Sequence, residues 1–187
     1  TDAGSEFLRV KISAGAAINE INTQLVGGYN LPNVLAAVCI GKTFQVDDKK
    51  IKTALEAYTP SNSRSQLIEK DGNRIILDAY NANPSSMKAA VENFKLAPGA
   101  KKILILGGMM ELGNESLYEH EALVKLINKS QWHKVVLVGK DYKDLPTGFI
   151  HFENTAEAKT WYKEQQFKDV QVLIKGSRSM QMEKVLE

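Results

Sequence analysis

Four short apolar runs recur along the chain: IILDAY at 75–80, KILILGG at 102–108, KVVLVGK at 134–140 and VQVLIKG at 170–176. None alternates polar with apolar residues, so each run must bury both of its faces. Strands of that kind belong to parallel sheets covered by helices on both sides. Helical patterns at 84–95, 116–129 and 155–165 fall between the runs, and a weaker strand, FIHFE, precedes the third. This alternation predicts a doubly wound α/β domain with right-handed crossovers. Ahead of it, QLIEK and RIILD flank Asp71-Gly72-Asn73, the signature of a tight hairpin turn.

The helix starts carry their own signals. Asn83-Pro84 puts a capping residue before proline at the first helical position. Ser116 with Glu119 has capping-box spacing, and Asn154 with Glu157 a related one. The stretch before residue 60 has a different pattern. AINEINTQLV alternates, a helical run follows from Leu31 to Ile40, and VDDKKIKTALEAY places Ile51, Leu55 and Tyr58 on one helix face. The segment 59–65, TPSNSRS, is poor in apolar residues and reads as a linker or hinge. The chain therefore divides into residues 1–59 and 60–187.

Composition narrows the function classes. Twenty-four Lys and Arg against 22 Asp and Glu leave a net charge of +2, which gives no electrostatic footprint for nucleic acid and no polybasic membrane segment. No apolar run approaches the roughly 20 residues needed to span a bilayer. The single cysteine, Cys39, sits in the apolar run VLAAVCI and is expected to be buried; a lone cysteine fits a reducing cytoplasm. The chain opens at Thr1 without a signal segment and closes within the helix-like MEKVLE, ends expected of a piece of a longer protein.

Open parallel sheets bind ligands at the carboxyl ends of their strands. Those ends here are Asp78 to Pro84, Gly107 to Gly113, Gly139 to Asp141 and Lys175 to Ser179. Asp78 either takes a ribose diol or is satisfied by nearby backbone; Asn81 and Asn83 offer donors and acceptors beside it. Lys175, Ser177 and Arg178, read as a strand-to-helix turn, either hold a carboxylate or phosphate or are simply a capped helix with solvated charges. Residues 36–43, AAVCIGKT, mimic a phosphate loop, but the leading glycine is replaced by Ala36 and the flanking elements are wrong. His120, His133 and His151 have no metal-ligand spacing with each other or with Cys39.

The run DAYNANPSSM, 78–87, closely resembles a signature of the Mur ligases, specifically the member that adds D-Ala-D-Ala to UDP-MurNAc-tripeptide. LGGMMELG at 106–113, KGSRSMQME at 175–183, GGYNLPNVLAA at 27–37 and Arg64 in NSRSQ are similar to further family segments, in the same order. The resemblance implies that 1–59 is the tail of a central ATP-binding domain and 60–187 a Rossmann-like C-terminal domain. It implies ATP and Mg²⁺ as cofactors, the Mg²⁺ mostly bound elsewhere in the enzyme, and UDP-MurNAc-tripeptide and D-Ala-D-Ala as substrates joined through an acyl phosphate. Residue by residue, Asn30 and Asn33 would lie near the adenine, Arg64 would reach the phosphates, Asp78 would hold the ribose, and Asn81 and Asn83 would line the cleft. Asn83, Lys175, Ser177 and Arg178 would face the dipeptide, with Arg64 and Lys175 as the catalytic pair. Tyr29 stands where the family often has His.

The resemblance further implies a cytoplasmic monomer with no nucleic-acid or membrane partner. Without a phosphate loop the chain alone is expected to be inactive, and its first 58 residues to expose apolar surface. A sister Mur ligase or a folylpolyglutamate-type ligase is the first alternative. A non-catalytic nucleotide- or partner-binding module is the second, since fold does not fix function.

Overall fold

A computed structural model of the chain describes residues 7–187. Thr1, at which the chain opens, lies outside them. The main body is a six-stranded sheet built from β3 (Gln66–Lys70), β4 (Asn73–Asp78), β5 (Lys102–Gly107), β6 (Lys134–Val138), β7 (Ile150–Phe152) and β8 (Gln171–Lys175). Their spatial order is β3-β4-β8-β5-β6-β7, with every pair parallel except the β3–β4 hairpin. That hairpin turns through Asp71 (φ 53°) and Gly72 (φ 78°), both left-handed, as the right-handed twist of the paired strands favours.

The helices α3 (Pro84–Leu96), α4 (Ser116–Ile127) and α5 (Thr155–Gln165) cover the sheet. Alternate residues of each strand feed opposite cores. Leu104, Leu106, Leu137 and Leu173 pack with Met87, Phe94, Leu123 and Ile127 from α3 and α4. Ile103, Ile105, Val136, Val172 and Ile174 pack with Ala158 of α5 and with Met182 and Val185. This is why the strand runs lack alternation. Ile103 to Leu106 are each fully buried, worth roughly 1.5–3 kcal/mol apiece relative to exposure.

Ahead of the sheet, β1 (Phe7–Lys11) pairs antiparallel with β2 (Glu20–Val26), and α1 (Leu31–Thr43) and α2 (Asp48–Ala57) follow. Leu8, Val10, Ile21, Val34, Val38 and Ile51 make a separate small core. Leu35, Ile40, Phe44 and Val46 remain exposed, consistent with the apolar exposure expected of this region.

Several expectations are corrected. Cys39 is exposed, because α1 buries only Val34 and Val38 against its neighbours. Tyr58 ends α2 in extended geometry and is about half exposed, so it does not extend the Ile51 face. Asp48 pairs with Lys42 at 2.6 Å and accepts from the Ala17 amide, while Asp47 caps α2. Ser116 caps nothing. A 3₁₀ turn over Gly113–Glu115 feeds α4 directly, and the Ser116 hydroxyl turns to Asp141 instead. The caps at Asn83 and Asn154 form as expected, each accepting from the amide three residues on. After β8 the chain makes two 3₁₀ turns, Arg178–Met180 and Met182–Leu186, rather than an α-helix. Residues 36–43 continue α1, with no strand before them. No helix of the described residues is long and apolar enough to cross a membrane.

Candidate functional site

Topology brings β8 between β4 and β5, and the register sets Asp78 opposite Lys175. Both sit at the carboxyl ends of their strands. Lys175 Nζ lies 2.6 Å from Asp78 Oδ2 and also donates to the carbonyl oxygens of Asn81 (3.0 Å) and Asp78 (3.4 Å). All three ammonium protons are thus engaged, and the lysine side chain is 3% exposed. Asp78 Oδ1 accepts from the Ser65 amide at 3.0 Å and, more weakly, its hydroxyl at 3.4 Å. Three donors on a carboxylate with about four lone-pair sites leave room for roughly one more. One ribose hydroxyl fits that capacity; two would need Ser65 to yield.

Ser65 in turn meets the Tyr29 hydroxyl at 2.8 Å. Burial, with the Asp78 charge adding to it, pushes the Tyr29 phenol well above its ordinary range, so it stays a neutral hydroxyl. Tyr29, Ser65, Asp78 and Lys175 therefore form one hydrogen-bonded chain from the N-terminal segment into the sheet. Gly28, whose amide donates to Asn93 Oδ1 on α3, makes a second tie. The linker is pinned at its far end, by Ser65 and by the Tyr80 amide donating to the Ser63 carbonyl. A pivot at 59–65 is thus confined to the residues before Ser63.

Around this cluster the other sequence-derived residues distribute unevenly. The Arg64 guanidinium stacks on the exposed Tyr80 ring, 3.6 Å from its centroid, a pairing worth about 0.5–1 kcal/mol at an exposed position. Its flat cationic face beside an acid fits a planar, anionic ligand. The Asn81 side chain accepts from the Ala82 amide, and Asn83 serves the α3 cap, its Oδ1 accepting from the Ser86 amide and Ser85 hydroxyl. Ser177 is buried, its hydroxyl accepting from the Met110 amide at 2.8 Å and thereby holding the loop after β5. Arg178 points instead to Glu183, at 2.9 Å. Asn30 and Asn33 stand apart at the start of α1, bonded to each other at 3.1 Å, with Asn30 also donating to the Val26 carbonyl. The geometry thus unites Asp78, Asn81, Lys175 and Ser177, sets Arg64 beside them, and leaves Asn30, Asn33 and Arg178 outside.

The loops themselves are shaped by close approach. A Cβ on Gly176 would sit 3.0 Å from Gly107 Cα and 2.7 Å from Met182 Cγ, so β5 and β8 exit almost in backbone contact. Beside them His120, fully buried, accepts from the Met109 amide at 2.9 Å and faces the Ser116 carbonyl at 2.7 Å. Sequence patterns missed Ser65 and Tyr80, and singled out His120 only as lacking metal-ligand spacing. Tyr80 left a trace: it follows buried Ala79 at a strand exit, where alternation turns it outward. Among the described residues no group of three or more His, Cys, Asp or Glu side chains could hold a metal ion.

Known proteins share this architecture. Residues 63–178 match the family described as "Mur ligase, glutamate ligase domain". A curated relative, the UDP-N-acetylmuramoyl-tripeptide–D-alanyl-D-alanine ligase of Buchnera aphidicola, is 33% identical over 173 residues, 89% of this chain and 38% of the relative. Among solved structures, MurF from Acinetobacter baumannii superposes with a TM-score of 0.78 at 28% identity, covering 90% of this chain and 39% of that one. MurF ligase from Thermotoga maritima in complex with ADP gives 0.76 at 25% identity, covering 89% and 39%. The chain spans about two fifths of the length of these proteins. With the family match covering more than half of its residues, the chain belongs to the Mur ligase family.

Proposed function

We propose that this chain supplies the C-terminal part of an ATP-dependent, amide-forming ligase that joins D-Ala-D-Ala to UDP-MurNAc-tripeptide in peptidoglycan precursor synthesis. The observation that carries the reading is the acid–lysine cluster at the carboxyl edge of the sheet, Asp78 with Lys175 and Ser65, inside the segment that matches the family. Relatives named for this reaction support it.

ATP supplies the phosphoryl group that activates the tripeptide carboxylate. This chain's residues act around that chemistry. Asp78 accepts a ribose hydroxyl, and Arg64, lifted on Tyr80, faces the phosphates. Asn81 and Asn83 line the cleft, and Asn30 and Asn33 border the adenine from the N-terminal segment. Lys175 orients the Asp78 carboxylate, while Ser177 and Arg178 face the dipeptide side. Closure of the C-terminal body over the nucleotide excludes water from an acyl phosphate that water would hydrolyse. Any Mg²⁺ is held by the rest of the enzyme with the phosphates. The protein works as a cytoplasmic monomer.

The test joins this chain to the segment that completes the length of its relatives. ATP, UDP-MurNAc-tripeptide and D-Ala-D-Ala should yield phosphate and the pentapeptide product by mass, whereas the 187-residue chain alone should give neither. Turnover with a single amino acid in place of the dipeptide would assign the chain to a sister ligase. Turnover by the isolated chain would refute the division of labour.

A further inference from the structure

His120 lies on α4 with no exposed surface, a polar ring buried beneath the strand exits. The Ser116 carbonyl, 2.7 Å from Nδ1, can only accept, so Nδ1 donates and Nε2 is left to accept from the Met109 amide at 2.9 Å. Tyr142 packs edge-on against the ring, with centroids 4.8 Å apart. Both nitrogens are therefore committed, and the ring has one orientation.

The Met109 amide is one of three in a row that the fold ties down after β5. Gly108 donates to the Val138 carbonyl at 3.0 Å, Met109 to His120, and Met110 to the Ser177 hydroxyl at 2.8 Å. The Ser177 amide returns a bond to the Gly108 carbonyl at 3.1 Å. The loop then turns through Glu111 in left-handed geometry, φ 66°, which a residue with a side chain adopts at a cost. A Cβ on Gly108 would stand 2.9 Å from Asp141 Oδ2 and 3.7 Å from His120 Nε2. The loop is thus seated as close to α4 and to the turn after β6 as a glycine permits. His120 is the hold that α4 contributes.

We propose that His120 is a positioning residue of the ligase: by holding the Met109 amide it sets the Met110 amide, and through that the direction of the Ser177 hydroxyl. The proposal rests on the ligase reading, in which Ser177 faces the dipeptide. Adjacent amides can separate by no more than one residue's reach, about 3.6 Å, so fixing Met109 confines Met110. The Met110 amide occupies a lone pair of Ser177 Oγ and so steers the hydroxyl proton. That proton has the Ala82 carbonyl as its acceptor within the fold, at 3.5 Å, the long limit of a hydrogen bond. It can therefore turn to a substrate oxygen at little cost. Without the Met109 hold the loop is free to move outward, and Ser177 loses its fixed donor. His120 itself touches no substrate; it acts through the loop.

Two variants of similar size separate positioning from support of the fold. His120→Gln carries an amide oxygen at the same bond count from Cα as Nε2 and can keep the Met109 bond. His120→Asn carries its amide nitrogen at the bond count of Nδ1, so it can keep the Ser116 bond but not the Met109 bond. Each removes one of two buried contacts, so a supporting role alone would make their kinetic effects alike. In the completed ligase, His120→Asn should raise the KM for D-Ala-D-Ala roughly two- to tenfold, the scale of one hydrogen bond, and leave the KM for ATP unchanged. His120→Gln should stay within about twofold of the parent. In the ¹⁵N-labelled 187-residue chain, amide exchange at Met109 and Met110 should rise about tenfold in His120→Asn and hold in His120→Gln. A measurement on the unsubstituted ligase covers the case in which His120→Asn fails to fold. Adding D-Ala-D-Ala to enzyme loaded with a non-hydrolysable ATP analogue and UDP-MurNAc-tripeptide should slow exchange at Met109 and Met110. Equal dipeptide KM values for the two variants, an equal rise in both KM values, or exchange at Met109 that ignores both variant and dipeptide would each overturn the proposal. No turnover by the unsubstituted ligase would sink the ligase reading instead, and the exchange contrast between the two variants would still stand or fall by itself.

Discussion

Replacing Asp78 with Asn keeps the shape of the side chain and removes its charge, which makes the cost of the buried ion pair measurable. Lys175 is 3% exposed and would keep two backbone carbonyls and, at most, a neutral amide oxygen for its ammonium, with no opposite charge. Removing one partner of a buried pair costs about 3–5 kcal/mol, chiefly because the other charge stays behind. Asp78 retains 14% exposure, so water can enter and the low end, about 3 kcal/mol, applies. For a chain of this size, that should lower Tm by roughly 6–12 °C. Lys175→Met alone should cost less, about 1–2 kcal/mol, since Ser65 and water still satisfy the carboxylate. The double variant, which removes both charges, should lose less than the two single losses summed.

Tryptophan fluorescence in urea reads this directly, because Trp132 packs on one face of the sheet and Trp161 on the other. Near-coincident Asp78→Asn and parental transitions would refute the reasoning, as would single losses that add within about 0.5 kcal/mol. Asp78 would then be free for other partners, and Lys175 would need another reason to be buried.

Asn83 separates cap from ligand contact. Asn83→Asp should retain stability because aspartate also caps, and Asn83→Ala should lose about 1 kcal/mol in denaturant titration. If Asn83 also touches nucleotide through its amide, the Asp variant of the completed ligase should be stable but show a raised KM for ATP. Tyr29→Phe removes the hydroxyl that meets Ser65 and should cost roughly 0.5–1.5 kcal/mol, with faster amide exchange at Gly28 and Ser65; unchanged exchange would mean that Tyr29 does not tie the two parts together. Acid should act first on the N-terminal part. Lys42 and the Ala17 amide hold the Asp48 carboxyl below its ordinary 3.8, and the Asn22 amide and Lys52 hold Glu56 below 4.5. Depressed folded values mean stability that is present above the ordinary values and lost as pH falls through the folded ones. Amide exchange in α2 should therefore rise before that in β5 and β8 once pH falls below the ordinary carboxylate values, and simultaneous opening would count against it.

The strands and sheet-covering helices were readable because each is a local consequence of burial: Ile103 to Leu106 can avoid water on both faces only inside a covered sheet. The hairpin at Asp71-Gly72 was readable because two successive left-handed residues leave few alternatives. Burial of Cys39 was misread for a related reason. An apolar run announces hydrophobicity but not which side of its helix meets a partner, and α1 offers only Val34 and Val38. Ser116 was misread because cap spacing does not register a 3₁₀ turn that delivers the chain to the helix by another route.

The site was harder to read, since its central contact joins residues 97 apart and exists only because β8 enters between β4 and β5. Motifs mark Asp78 and Lys175 as important but do not say that each is the other's partner. Once that is known, their roles are no longer independent: a lysine with all three protons engaged beneath the edge is a poor anchor for a substrate carboxylate.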